Sequence, residues 1–325
     1  MSDARNPDAA APGLATTLGP IGLENPVMSA SGCFNYGREF SHAYDLSVLG
    51  GIVNKTFMDR VRPGNSPDRV QETPEGMLNA IGTPSKGTEQ FIDEQLPFMR
   101  ETGAAVIASI GGLSEDDFQR AARKLDGQEG IAAIELDLSC PNHAEAAPFA
   151  NSAESMHQVT KMCKAVTRIP IISKLGPAVT DIVEMAAAAM EGGADALCIG
   201  NTYPAMSIDI DTQRPVLGFT SGGLSGPAIR PMVVRLVWQV VEKLGAPVVG
   251  CGGIESARDA IEYLLAGARA VQVGTANFYD PMVMPKIIEG IRDYLAGRGL
   301  SSVEDIIGAA HAAKPELYYP GVEAH

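Results

Sequence analysis

The sequence predicts a (β/α)8 barrel, also called a TIM barrel, with an extended connection after the second strand and a long connection after the sixth. Two observations predict it. Short apolar runs recur along the chain, and most are followed by a segment with helical periodicity and helix-capping residues. Eight such units and their insertions fit the roughly 250 residues or more of this barrel. Strand count alone does not prove closure, so a doubly wound open sheet is the alternative.

The predicted strands are near-continuous apolar runs, as expected for parallel strands covered on both faces. In chain order they are 27–32, 50–56, 104–112, 131–139, 170–177, 195–202, 246–254 and 270–278. The predicted helices include 36–46, 114–125, 152–167, 180–193, 256–268 and 282–297. Ser114, Thr180 and Ser256 are the expected N-caps, because their side chains can accept from the first free N–H groups. Gly192 is the expected stop of its helix.

Two connections are longer than a compact barrel needs, and both follow the carboxyl end of a predicted strand. Residues 57–84 connect the second strand to its helix, and residues 203–226 connect the sixth strand to its helix. Long loops in a compact domain are commonly functional, and barrel active sites form at the carboxyl ends of the strands. We therefore expect both connections to border an active site.

The chain is predicted to form one domain with two short extensions. Residues 14–310 are expected to form the barrel, residues 1–13 a disordered N-terminal arm and residues 311–325 a C-terminal tail. The first residues contain neither the basic stretch nor the apolar stretch of a signal peptide. No apolar run approaches the ~20 residues of a membrane span, so we expect no membrane contact.

Composition narrows the function classes. The formal net charge of −14 argues against nucleic acid and anionic membranes as partners. Hydrophobic residues make up 45% of the 325, as expected for a globular protein with a sizeable core. The five cysteines are odd in number and form no CxxC pair. This pattern favours reduced thiols in a cytoplasmic protein, and it predicts no metal or iron–sulfur site in the chain itself.

Glycines follow the last two predicted strands, in GCGGI (250–254) and VGTANF (273–278). Glycine lets backbone N–H groups approach an anion, and a following helix N-terminus favours negative charge. TIM barrels often bind a phosphate after strands seven and eight. The residues assigned to a phosphate are Gly252, Gly253, Gly274 and Thr275, with the Gly-rich segment 221–231, which contains Gly226, as a third approach. Tight turns without a ligand are the alternative.

Lysines and asparagines occur near the strand ends. Lys55 and Lys174 each end an apolar strand, where a lysine is costly to bury unless it is paired. Either they face an anionic ligand or they reach to solvent. Asn79, Asn142 and Asn201 follow strand ends or lie in the long connection. Amides offer both donors and acceptors and would suit a planar ligand with imide and carbonyl edges, although ordinary turn chemistry is the alternative.

Cys140 follows a predicted strand and precedes a proline, so it lies outside the apolar run in which a core cysteine would be expected. A thiol with an ordinary pKa of ~8.5 becomes a usable base where its surroundings lower that value. Cys140 is therefore a candidate general base. An inert thiol and a nucleophile are the alternatives.

Motifs along the chain resemble the class 1 dihydroorotate dehydrogenases, and most closely the catalytic subunit of the NAD-linked class 1B enzymes. The motifs are MSASGCF, VNKT, RPGNSPDR, EGMLNAIG, ELDLSCPN, SKLGP, IGNT, IDIDTQRPVLGFTSGGLSGPAIRP and VVGCGGIESARDAIEYLLAGARAVQVGTANFYDP. The resemblance runs from about residue 14 to 300 and is most specific over 206–281. It implies an FMN-containing (β/α)8 barrel that oxidises (S)-dihydroorotate to orotate in de novo pyrimidine biosynthesis.

By motif position, the resemblance implies that Cys140 is the base that removes the C5 proton while hydride passes from C6 to flavin N5. The implied substrate-binding residues are Lys55, Asn79, Ala80, Ile81, Gly82, Asp137, Asn142, Asn201 and Thr202. The implied FMN-binding residues are Ala30, Ser31, Lys55, Thr56, Lys174, Ile199, Gly226, Gly252, Gly253, Gly274 and Thr275. The resemblance also implies a separate electron-transfer subunit that carries FAD and a 2Fe–2S cluster, in an assembly that is a homodimer or a heterotetramer.

The chain departs from the family pattern at several positions. Asp137 stands where the family usually has a ligand-binding asparagine, and Ser109 stands where class 1B usually has an asparagine near the flavin. Ala205 replaces a usual glycine, and residues 143–150 differ from the usual Gly-rich loop. Asp137 motivates a second hypothesis, the same flavin chemistry on another dihydropyrimidine or cyclic amide. A non-catalytic flavoprotein and a flavin-free, phosphate-binding isomerase are the remaining alternatives.

Overall fold

Eight parallel strands close into a barrel in the computed structural model, which describes residues 11–139 and 152–313 of the chain. The strands are β1 (Val27–Ser29), β2 (Gly51–Val53), β3 (Ala105–Gly111), β4 (Ile131–Asp137), β5 (Ile171–Leu175), β6 (Ala196–Ile199), β7 (Val248–Cys251) and β8 (Ala270–Val273). Each strand pairs in parallel with the next, and β8 returns to β1 with Val271 opposite Val27. The predicted (β/α)8 barrel is confirmed, and the open-sheet alternative is wrong.

Helices cover the outside of the barrel. They are α1 (Thr88–Gln90 and Leu96–Glu101, joined by a π-helical turn at Phe91–Gln95), α2 (Glu115–Leu125), α3 (Ala153–Lys164), α4 (Ile182–Glu191), α5 (Arg230–Leu244), α6 (Ala257–Leu265), α7 (Val283–Gly297) and α8 (Ala309–Ala312). The helix predicted at 36–46 is wrong, because only two short 3-10 turns form there, Phe40–His42 and Leu46–Val48. Gly37 has a φ of 89° and Asp45 is extended, and both interrupt helical geometry.

The helix starts follow the predicted capping chemistry at two of three positions. The side chain of Ser114 accepts from Asp117 N in a capping box, and the side chain of Ser256 accepts from Asp259 N. Thr180 is not the cap of α4. Asp181 takes that place, because its carboxylate accepts from the backbone N–H groups of the first helical turn.

The two long connections form strands that pair with each other. The first contains the strands Phe57–Met58, Val61–Arg62, Val70–Thr73 and Gly76–Asn79, and the strand Ser85–Lys86 follows directly after it. The second contains Tyr203–Ala205, Ile208–Asp209, Arg214–Pro215 and Gly222–Ser225. Four of these strands make an antiparallel sheet in which Gly223 lies opposite Asn79. Sequence alone predicted these segments as loops; pairing across the two insertions makes them a second sheet.

A short hairpin closes the amino-terminal end of the barrel. Its strands are Thr16–Leu18 and Ile21–Leu23, and Leu18, Ile21 and Leu23 join the apolar cluster inside the barrel. The turn residue Gly19 lies against Asp195 and Pro247, which precede β6 and β7. A second, larger apolar cluster packs the strands against the helices. Side chains of the hairpin thus fill the amino-terminal end of the barrel interior. The carboxyl-terminal end of the strands is left for a ligand.

Gly13, the last residue of the predicted arm, and His311, the first residue of the predicted tail, both contact the predicted barrel domain. Gly13 N donates to Ser301 O at 2.9 Å, and Val303 N donates to Gly13 O at 2.9 Å. The imidazole of His311 stacks on Trp238 with ring centroids 3.7 Å apart. Residues 1–10 of the predicted arm and 314–325 of the predicted tail lie outside the described residues. In residues 11–139 and 152–313, no helix has the length and apolarity needed to cross a bilayer.

Gly200, between β6 and Asn201, gives the first test. Its φ is 113°, and an added Cβ would lie 2.1 Å from Cys251 O. Gly200→Ala should therefore lower the free energy of unfolding by about 2–5 kcal/mol, from backbone strain and overpacking together. Gly245→Ala is the matched control, because φ is 60° there and no atom lies within 4 Å, so only about 1–2 kcal/mol should be lost. Equal losses in urea unfolding would contradict this account of the β6 turn.

Candidate functional site

One cavity of about 570 Å³ opens at the carboxyl ends of the barrel strands. Its walls come from strand ends and from the sheet that the two insertions form, which supplies Val70, Met77 and Asn79. Parallel strands all present their carboxyl ends to the same side, so side chains distant in sequence meet there. This common edge is why residues from 30 to 279 line one space.

Most of the residues predicted for the site line this cavity. They are Ala30, Ser31, Lys55, Thr56, Asn79, Ile81, Gly82, Asp137, Lys174, Asn201, Thr202, Gly226, Gly252, Gly253, Gly274 and Thr275. Cys140 and Asn142 lie outside the described residues. The convergence brings the predicted phosphate turns, the two lysines and two of the three asparagines around a single space.

Ala80 and Ile199 are not among the lining residues. Ala80 is fully buried, and its backbone N–H donates to Arg69 O at 2.8 Å, so that group is already used within the protein. Ile199 is fully buried in the apolar layer between strands and helices. It follows Cys198, which faces the barrel interior, and successive side chains of a strand point to opposite faces.

Three glycine-containing turns approach one another at one end of the cavity. Gly253 has a φ of 68°, and a Cβ there would lie 2.8 Å from Gly226 O. The buried hydroxyl of Tyr263 donates to Gly252 O at 2.7 Å and fixes the turn after β7. Thr275 Oγ1 donates to Ser225 Oγ at 2.8 Å and ties the turn after β8 to the insertion sheet. Backbone N–H groups in such turns suit a phosphate.

A buried polar network lies beneath the cavity. Lys174 Nζ donates to Ser31 Oγ at 3.0 Å and to Gln272 Oε1 at 3.3 Å, and lies 4.0 Å from Glu135 Oε1. Gln272 Nε2 donates to Glu135 Oε2 at 2.6 Å, and Ser109 Oγ donates to Glu135 Oε1 at 3.0 Å. These contacts pair the buried Lys174 ammonium with acceptors. Such pairing offsets the free-energy cost of burying a charge in an apolar strand.

Burial and charge act in opposite directions on the ionisable groups here. Burial acts to lower the pKa of Lys174, but the acidic groups around it, Cys251 and Glu135 foremost, raise it well above its ordinary value. Burial raises the pKa of Cys33 to about 11, so that thiol stays protonated at neutral pH. A hydrogen bond from Cys198 and the charge of Lys174 lower the pKa of Cys251. Lys174, at the floor of the cavity, is therefore expected to stay protonated at neutral pH.

Asp137 carries a carboxylate into the cavity and is surrounded by donors. Ser139 Oγ donates to Asp137 Oδ1 at 2.8 Å, and Thr56 Oγ1 and Asn201 Nδ2 lie 3.4 and 3.5 Å from its oxygens. Asn201 Nδ2 also donates to Ser139 Oγ at 2.6 Å, while its Oδ1 accepts from Thr202 N at 2.7 Å. The Asp137 carboxylate can only accept hydrogen bonds at this position, whereas the amide of an asparagine could also donate one.

Lys55 and Asn79 are placed by backbone contacts near the same space. Lys55 follows β2, and its backbone N–H donates to Asn35 O at 2.7 Å. Asn79 ends a strand of the insertion sheet, and its Nδ2 lies 3.4 Å from Gly223 O. A cation and an amide thus border the cavity together with Asp137.

Several residues of the site escaped sequence reasoning. Glu135 and Gln272 are 0% and 1% exposed and hold Lys174 from below. Both are polar residues inside apolar runs, the same signal that singled out Lys174. Cys33 and Cys251 also line the cavity, and nothing in their local sequence distinguishes them from buried cysteines of the core.

The lining fits FMN. The glycine turns have no Cβ at one end of the cavity, and a Cβ at Gly253 would meet its neighbours there, so backbone N–H groups in these turns could approach a phosphate. Lys174 and Ser31 provide a cation and a hydroxyl for the polar edge of a flavin ring, and Ala30 and Ile254 provide apolar contacts for its faces. The lining therefore offers a polar floor for the ring and glycine turns that form a proposed phosphate end.

Comparisons with known proteins agree with this geometry. The family model described as dihydroorotate dehydrogenase matches residues 13–295. The chain is 46% identical over 301 residues to "Dihydroorotate dehydrogenase B (NAD(+)), catalytic subunit" of Geotalea daltonii, covering 92% of this chain and 99% of that protein. Proteins of the same name from Trichlorobacter lovleyi and Desulforamulus reducens are 45% and 43% identical over 299 residues, covering 92% of this chain and 98% of each.

Gly253→Ala tests the phosphate end. The added Cβ would lie 2.7 Å from Arg230 Cβ and 2.8 Å from Gly226 O, so the turn must move. We expect FMN to bind at least tenfold more weakly, equivalent to about 1.4 kcal/mol. Riboflavin, which lacks the phosphate, should lose less than threefold. Quenching of flavin fluorescence by flavin-free protein measures both. An equal loss for the two flavins, or none for FMN, would contradict the assignment.

Proposed function

The chain belongs to the dihydroorotate dehydrogenase family of oxidoreductases, and on that premise we propose that it oxidises (S)-dihydroorotate to orotate in pyrimidine biosynthesis. The observation that carries the proposal is the convergence of glycine turns, Lys55, Lys174 and the amides of Asn79 and Asn201 on one cavity. The family match argues against the flavin-free isomerase and the non-catalytic alternatives.

FMN is the proposed cofactor. The turns at Gly253 and Gly274 would hold its phosphate, and Lys174 and Ser31 would hold the polar edge of its ring. Bound FMN would supply the acceptor for the hydride that leaves C6 of the substrate. Ser31, Gln272 and Glu135 hold the Lys174 ammonium in place from within the protein, so the floor of the site is organised before a ligand arrives.

The substrate is proposed to lie above this floor. Lys55 would pair with the substrate carboxylate, and Asn79 and Asn201 would bind the pyrimidine edge. Cys140, which follows Ser139 in the chain, is the proposed base for the C5 proton on the strength of its family position. A cysteine base needs a thiolate or a rapid route to one, which nearby cations favour.

An electron-transfer partner completes the proposal. The similar proteins are named as catalytic subunits of an NAD(+)-linked enzyme. We propose that a separate subunit with FAD and a 2Fe–2S cluster takes electrons from the FMN. The chain would form a homodimer by itself or a heterotetramer with that subunit. The scattered cysteines favour a reducing compartment, and on that ground we propose a cytoplasmic location.

A second candidate function rests on Asp137. Its carboxylate lines the cavity among donors and adds negative charge near the place proposed for an anionic substrate. An uncharged dihydropyrimidine or another cyclic amide would avoid that repulsion. Comparing turnover of dihydroorotate and dihydrouracil with an artificial acceptor separates the two functions.

The visible spectrum of the purified protein tests the main proposal. We expect a yellow protein whose flavin absorbance is lost when dihydroorotate is added without oxygen. A colourless protein, or a yellow one that dihydroorotate leaves unchanged, would contradict it.

Cys140→Ala tests the proposed base. Turnover of dihydroorotate should fall by roughly 10²–10⁴-fold, the usual contribution of a general base, while FMN stays bound. Cys163→Ala is the control, because Cys163 is buried on α3 and does not line the cavity. Steady-state rates and the flavin-to-protein ratio report the two effects. An unchanged rate in Cys140→Ala would refute the base.

Asp137→Asn tests the charge at the substrate end. Loss of the carboxylate removes repulsion of an anion, so KM for dihydroorotate should fall about tenfold, equivalent to about 1.4 kcal/mol. KM for uncharged dihydrouracil should change less than twofold. A rise in KM for dihydroorotate would show instead that Asp137 accepts an essential hydrogen bond from the substrate.

A further inference from the structure

The side chain of Lys174 is almost wholly enclosed, with 2% of the residue exposed, yet it lines the cavity. It reaches Ser31 Oγ and Gln272 Oε1 at 3.0 and 3.3 Å. An ammonium has three donors and no acceptor, so its position is set by the acceptors it meets. Of these two acceptors, Gln272 is the more buried, at 1% exposed.

The orientation of the Gln272 amide is set by Glu135. A carboxylate only accepts, so the Gln272 Nε2 group faces Glu135 Oε2, at 2.6 Å, and its Oε1 turns toward Lys174. Cys198 Sγ lies 3.5 Å from the same Oε1. The second oxygen of Glu135 accepts from Ser109 at 3.0 Å. The amide therefore has one arrangement that satisfies all its neighbours.

Glu135 also supplies the nearest carboxylate to Lys174, with Oε1 4.0 Å from Nζ. Three further acidic groups face the ammonium: Asp137, which is on β4 with Glu135, Cys198 on β6 and Cys251 on β7. Cys33 and Lys55 lie across the cavity. Glu135 differs from Asp137, the other carboxylate of this set, because it is fully buried and pairs with the Lys174 ammonium, whereas Asp137 is partly exposed.

We propose that Glu135, acting through Gln272, is the positioning residue that keeps Lys174 charged and directed at the cofactor space. The inference rests on the proposed function, in which Lys174 lies beside the flavin ring. Without Glu135, the amide of Gln272 is free to flip and Lys174 has lost its buried counter-charge. A buried lysine in that situation gives up its proton as pH rises, because burial disfavours the charged form.

Glu135→Gln in a Cys251→Ser background tests the proposal. The background removes the other acidic group that most affects Lys174. The FMN dissociation constant is measured at pH 7 and pH 9.5 by fluorescence quenching, with Cys251→Ser alone as reference. In the reference, Lys174 keeps its proton at both pH values. The ratio of the dissociation constant at pH 9.5 to that at pH 7 then reflects only the flavin and the rest of the site. In Glu135→Gln that ratio should rise at least tenfold further, since Lys174 loses its proton within the range.

The control is Glu89→Gln in the same background. It makes the identical chemical change in a carboxylate whose side chain is 67% exposed and pairs with Lys124 outside the cavity. Its ratio should match the reference within twofold. A folded Glu135→Gln protein with the reference ratio would overturn the inference, because a merely structural role of Glu135 would lower thermal stability without this dependence on pH.

Gln272→Met decides the matter if Glu135→Gln fails to fold. Methionine has a similar shape but offers neither the Nε2 donor nor the Oε1 acceptor. FMN binding at pH 7 should weaken at least tenfold; a change within twofold would overturn the inference. If the wild-type protein binds FMN but dihydroorotate does not reduce it, the proposed function fails alone. If it binds no FMN, both fail.

Discussion

Lys174 and Glu135 place a cation and an anion inside a barrel whose interior is otherwise packed with residues such as Ile107 and Ile172. Neither charge is tolerable there alone, and removing one partner of such a pair typically costs about 3–5 kcal/mol. The pair is satisfied because Gln272, Ser109 and Ser31 supply the remaining hydrogen bonds. The floor of the cavity is therefore a fixed electrostatic feature of the fold, and the proposed cofactor site is built upon it.

The closed parallel sheet determines what can stand above that floor. All eight strands end at one edge of the barrel. The turns after β7 and β8 therefore line the same cavity as the end of β2, although these segments are far apart in sequence. The insertion sheet then adds a wall, because the segment ending at Asn79 pairs with the segment containing Gly223. The two long connections thus depend on each other, and both border the same cavity. A substitution in one connection is therefore expected to change the affinity for ligands that contact the other connection.

Much of this architecture could be predicted from the sequence, and the features that were not predicted were missed for physical reasons. Apolar runs with caps located all eight strands, since buried parallel strands leave a strong local signal. The sheet between the insertions was missed because its register depends on residues 144 positions apart, Asn79 and Gly223. Two of the predicted site residues within the described ranges do not line the cavity. Ile199 lies on β6, where strand alternation turns it away from the barrel interior that Cys198 faces. Ala80 follows a strand of the insertion sheet and is buried with Leu78 and Leu217. Glu135 gave the same signal as Lys174, a charged residue in an apolar run, and could have been found with it.

A crystal structure of the protein with FMN and orotate tests the central claim most directly. The account predicts the flavin ring within hydrogen-bond distance of Lys174 Nζ, with its phosphate at the turns containing Gly253 and Gly274. It also predicts the orotate carboxylate beside Lys55. A flavin bound elsewhere, or bound here with its phosphate away from the glycine turns, would contradict the account.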